Sequence, residues 1–163
     1  MKDRYSEAFI EALIKKDLDA IRVIPKADLH NHYSLGGNRK YIRDLVGIDI
    51  PFLEGVLQSM QDMHDWNTKY IGNKFHNSRM HKFLIDAAFV QAKFDGVRIL
   101  EIGEDVWGLG EYYNNDIDEL IHSFHDSNQR IAPEIEQRLQ IGLSRHCSID
   151  YLMNCLKCLM ILG

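Results

Sequence analysis

Two histidines one residue apart, His30 and His32, end the segment Pro25-Lys26-Ala27-Asp28-Leu29-His30-Asn31-His32, and Tyr33-Ser34-Leu35-Gly36-Gly37 follows them. On an extended chain residues i and i+2 share a face. The two imidazoles therefore point together into one cavity, and imidazole is a favoured ligand for zinc and its neighbours. Catalytic zinc usually takes three protein ligands and keeps one position open. Two ligands do not make a metal site, so any further ligands must come from elsewhere.

The other chemically capable residues read more plainly. His122 and His125 have i, i+3 spacing on a predicted helix and form a solvated face beside Asp118 and Asp126. Glu101, Glu104 and Asp105 follow a predicted strand at its functional end, where Glu104 and Asp105 read as loop carboxylates and Trp107 as a packing residue. His146 ends another strand and reads as a rim residue, while His64, His76 and His81 have no useful partner spacing. Cys155-x-x-Cys158 lacks the His-x-Glu that cytidine-type deaminases pair with Pro-Cys-x-x-Cys, and reads as two small core residues on a helix. There is no glycine-rich phosphate-loop pattern, so no nucleotide cofactor is indicated.

These residues need elements to hold them. An amphipathic helix is predicted over 6–14, with Ala8, Phe9, Ala12 and Leu13 on its apolar side, leading through 1–24 into the main body. Pro25 ends any helix there. A strand is expected over 26–30, then a loop over 31–37 in which Gly36 and Gly37 supply unusual backbone angles, then a helix over 38–46. Pro51 opens the next predicted helix, with Phe52, Val56, Leu57, Met60 and Met63 as a core stripe and a turn near Gly72-Asn73. Helix 80–94, strand 97–103, a helix capped by Asn115 or Asp116 and running to 127, a strand within 136–143, and a helix over 149–159 capped by Ser148 complete the chain. Strands alternating with long helical crossovers predict an α/β fold with a parallel sheet or barrel.

The chain has 163 residues, 45% hydrophobic and 26% charged, and a net charge of -5, which argues against a general nucleic-acid binder. No apolar run approaches the ~18 residues of a membrane span, and the N-terminus lacks a signal-peptide core. Three late cysteines, Cys147, Cys155 and Cys158, fit a reduced cytoplasmic protein.

The segment 25–32 resembles the Pro-Lys-x-Glu/Asp-Leu-His-x-His opening of the adenosine deaminase family of metal-dependent hydrolases. Two later segments agree in order. Phe94-Asp95-Gly96-Val97-Arg98-Ile99-Leu100-Glu101-Ile102 resembles that family's second strand, and Ile141-Gly142-Leu143-Ser144-Arg145-His146 its third. The resemblance implies a (β/α)8 barrel with one Zn2+ or similar divalent ion, His30 and His32 as metal ligands, and hydrolytic deamination of adenosine or a related purine nucleoside or base. The family usually has Asp then Gly two residues after the second histidine, near the bound sugar. Here Ser34 and Leu35 stand there, with Gly36 next, so Ser34 and Gly36 become the expected substrate-side residues, and purines other than adenosine stay open. A closed barrel takes ~250 residues, so the chain is expected to be an N-terminal part, about three βα units of eight, with the other catalytic residues on later strands. Two alternatives remain: a non-catalytic remnant that self-associates through its open edge or binds a partner, and another His-x-His amidohydrolase acting on a different C–N bond.

Overall fold

The structure, a computed structural model, describes residues 4–72, 74–105, 112–114, 116–143 and 147–161, with backbone alone for Glu104, Asp105, Cys158 and Ile161. Its elements are α1 (Arg4–Lys15), α2 (Leu18–Val23), β1 (Lys26–His32), α3 (Tyr33–Gly36), α4 (Arg39–Val46), α5 (Met60–Asn67) running into a π-turn (Thr68–Gly72), α6 (Ser78–Phe94), β2 (Val97–Asp105), α7 (Ile117–Ile131), β3 (Glu136–Gly142) and α8 (Ile149–Ile161). The three strands form one parallel sheet in the order β1-β2-β3. The α/β class and the strand–helix alternation read from the sequence are therefore present.

Side-chain caps place most of the helices. Asp17, Asn38, Asn77 and Asp116 each accept a backbone N–H from the first turn of α2, α4, α6 and α7. Ser148 does the same for α8 through the Tyr151 amide. Between α6 and β2 the chain reverses at Gly96, where φ is +75° and a Cβ would meet the Arg22 carbonyl, so only glycine fits. Beside that turn the Lys26 ammonium donates to the carbonyls of Ile21, at 2.8 Å, and of Asp95. Lys26 thereby ties the C-terminal ends of α2 and α6 to the base of β1.

The helices cover one face of the sheet. Leu100 and Ile102 of β2 are sealed against α6 and α7, with Leu84, Ile85, Phe89, Leu120 and Phe124 in the same core. The opposite face carries Leu29, His30, His32, Arg138 and Gln140 and is exposed. Helix α6 also buries two polar side chains. His81 lies between the hydroxyls of Tyr33 and Tyr113, and Asp86 accepts from Ser127 and Arg130, both at 2.5 Å.

Four expectations change. The stripe Phe52, Val56, Leu57, Met60 and Met63 is not core: none of the five is buried, and Phe52 and Val56 are 79% and 83% exposed. Gly55 at φ +84° interrupts any helix there, and α5 starts only at the Ser59–Asp62 capping box. The segment 31–37 is not a loop, since Asn31 and His32 continue the pairing with Ile102 and Gly103 and Tyr33 opens α3. Gly36 and Gly37 have no positive φ; they permit close approach instead, to the Asn31 amide and to Ala87 of α6. In α1 only Ala12 is buried, and Leu13 is exposed.

Burial pushes His81 down to about 4, so it is neutral in the folded protein at pH 7. The unfolded chain, with a histidine near 6.5, binds the extra proton first. Stability is therefore full above about pH 6.5 and declines as pH falls towards 4, by on the order of 3 kcal/mol in all. Urea unfolding of wild type and His81→Gln between pH 4 and 7 checks this: the variant should lose most of that slope.

Candidate metal and substrate site

The site begins with an irregularity in β1. Asp28 pairs with Leu100 and Asn31 with Ile102, so three steps along β1 match two along β2 and one extra residue is bulged out. The Asp28 carboxylate braces this bulge, accepting from the His30 backbone N–H at 3.3 Å and from Asn31 Nδ2 at 2.8 Å. The bulge re-aims the strand end so that the His30 and His32 rings meet edge to face, centroids 4.7 Å apart. Their Nε2 atoms are 3.0 Å apart.

That geometry suits a shared cation. Two imidazole nitrogens bound to one tetrahedral zinc at about 2.0–2.1 Å stand roughly 3.3 Å from each other. The floor beside them is also clear. His32 pairs with Gly103, and a Cβ on Gly103 would lie 2.4 Å from the Gln140 carbonyl oxygen. His30, Asn31, His32, Gly103, Gln140, Gly142 and Leu143 line an open cleft of about 190 Å³ at the C-terminal end of all three strands. The two histidines thus fit as two ligands of one ion. Among the described residues no group of three His, Cys, Asp or Glu side chains converges to complete it.

Below the cleft the open face is polar. Glu101, in mid-strand and not beyond it, accepts from Gln140 Nε2 at 2.7 Å and faces Arg138 at 3.5 Å. It is committed to β3 and is not a spare ligand. Ser34 and Gly36 lie in α3, next in the chain to the histidines, but neither lines the cleft. His122 and His125 are on the exposed side of α7 with Asp118 and Asp126, as their spacing predicted. His64 and His76 are exposed as well. Cys155 is buried, in keeping with a core role. Glu104 and Asp105 are the last paired residues of β2 and not loop residues, opposite Ile141 and Gly142 of β3. Their side chains, the side chain of Cys158, and His146 and Trp107 lie outside the described residues. Sequence reasoning missed Lys26, Asp28 and His81. The available signal for His81 was its position on one helical stripe with Leu84 and Ala88.

No family model matches the chain. It is 22% identical over 130 residues to a protein of Treponema pallidum (strain Nichols) named as an adenosine/adenine deaminase, which covers 80% of this chain and 43% of that protein. The crystal structure of adenine deaminase from Arthrobacter aurescens superposes on 83% of this chain and 45% of its own, with a TM-score of 0.55 and 19% identity. Distant similarity to adenosine/adenine deaminases thus extends over most of the chain. The chain spans less than half the length of either protein.

Gly103→Ala tests the floor of the cleft. The added methyl must push β2 from β3 at Gln140, and overpacking of this kind costs typically 1–3 kcal/mol. A thermal melt should show the loss, and an unchanged melting temperature would mean that β2 and β3 are not closely paired there.

Proposed function

We propose that this chain forms the first three βα units of a (β/α)8 metal-dependent hydrolase that deaminates a purine nucleoside or base, with 1–24 leading into that barrel. The observation that carries the reading is the convergence of the two Nε2 atoms at the C-terminal end of β1, 3.0 Å apart over a glycine floor. Functional groups of such barrels sit at that end of the strands. The distant likeness to adenosine/adenine deaminases supports the choice of reaction.

His30 and His32 would hold the ion, which when bound supplies a water acidic enough to act as nucleophile near neutral pH. Within this chain, Asp28 holds the bulge that aims both rings, and Gly103 leaves room above the sheet. Ser34, outside the cleft lining, stands where deaminases of this type usually place a carboxylate, and the loss of that carboxylate favours a purine other than adenosine. Gly36 would keep the turn close to Asn31 beside it. The third metal ligand and the proton-transferring group would come from outside the described residues.

A second reading rests on a separate observation. Among the described residues β1 and β3 each have an unpaired edge, and Leu29 on the open face is 58% exposed. Such edges and patches pair with other chains, so the protein would self-associate and be catalytically silent.

The test combines zinc stoichiometry, ammonia release from adenosine, adenine and amino-purine analogues, and light scattering. On the first reading the protein retains zinc, and His30→Ala or His32→Ala lowers zinc affinity at least about tenfold. Zinc-free, inactive oligomers that dissociate on Leu29→Lys would establish the second reading and remove the first.

A further inference from the structure

We infer that His81 is a positioning residue for the His30/His32 pair, acting through Tyr33. His32 is both the last residue of β1 and the N-cap of α3, and Tyr33 is the first residue of that helix. Tyr33 is wholly buried. Its hydroxyl bonds His81 Nε2, and His81 Nδ1 lies 3.0 Å from the Tyr113 hydroxyl. A neutral imidazole does both at once, donating from one nitrogen and accepting at the other. The rings are clamped as well: Tyr112 stacks on His81 at 4.4 Å and 11°, and Tyr33 meets Phe124 edge to face at 5.2 Å.

The consequence for His32 is geometric. Its peptide link to Tyr33 is planar, and Tyr33 is anchored in α6, in α7 and beside Tyr113. The freedom of the His32 backbone, and so the aim of its ring, is set by that anchor. His81 touches neither ligand histidine, so its effect is transmitted through the Tyr33 backbone. The inference rests on the reading of His30 and His32 as ligands.

Cobalt(II) titration of the full chain, followed by its visible bands, and amide hydrogen exchange at 31–34 test it together. Tyr33→Phe and His81→Phe should weaken cobalt binding about 10–100-fold, the usual range for groups behind metal ligands, and should speed exchange at 31–34. His81→Gln, which keeps a donor and an acceptor, should restore most of both. Melting curves identify variants that are folded; should His81→Phe not fold, Tyr33→Phe and Tyr113→Phe each delete one hydroxyl and decide the matter. Folded variants with wild-type cobalt affinity and unchanged exchange at 31–34 would overturn the proposal. If wild type takes up no cobalt, the metal reading fails by itself. The exchange rates then still decide whether His81 holds the turn: faster exchange in the variants supports it, and unchanged exchange rejects it.

Discussion

A polar group buried without a partner costs about 1–3 kcal/mol, and α6 buries two polar side chains that therefore need partners, five residues apart. His81 and Asp86 are 4% and 3% exposed. Five helical steps turn the second about 140° from the first, so the two cannot share partners. His81 is answered by Tyr33 at the end of β1 and by Tyr113 beyond β2. Asp86 is answered by Ser127 and Arg130 of α7, with Tyr41 of α4 at 3.4 Å. Meeting one constraint on one helix therefore draws four separate segments into register. The cleft at the strand ends depends on this arrangement, although neither residue lies in it.

The two faces of the sheet show a division of labour. The covered face is apolar and closed, with Leu100 and Ile102 wholly buried. The open face is built from groups that tolerate water: the histidine pair at its upper end and the Glu101–Arg138–Gln140 cluster below. Arg138 also pairs with Glu136 at 2.7 Å, so its cation is shared along the strand. Only at Leu29 does a large apolar side chain interrupt this polar lining of β1. The bulge between Asp28 and Asn31 accounts for that exception, since it shifts the alternation of the strand at this point.

Much of this fold was legible. Periodicity located α6, α7, β2 and β3 to within a few residues, because each has one buried side and the two helices also have side-chain caps. The His-x-His pair was legible because strand alternation alone puts both rings on one face. The stripe at Phe52 and Val56 was misread because apolar spacing cannot show whether a neighbouring surface exists to receive it. Gly36 and Gly37 were misread for a related reason: a glycine in a sequence does not reveal whether it serves angle or proximity. The Lys26–Asp95 tie and the Tyr33–His81 contact join residues far apart in the chain, and the Asp28 brace, though local, serves a bulge that exists only once β1 pairs with β2. Single-sequence patterns carry no record of such pairings.

The parallel pairing of β1 with β2 has a consequence for synthesis of the chain. β1 leaves the ribosome with both edges bare, and its only hydrogen-bonded neighbour among the described residues is β2, which follows the whole of 33–96. At about 5–20 residues per second, β2 is complete roughly 4–15 s later. Through that interval Lys26-Ala27-Asp28-Leu29-His30 is an unpaired ribbon on a nascent chain. Lys26 and Asp28, which serve the finished fold as tie and brace, stand in that ribbon as charges that oppose premature pairing with other chains.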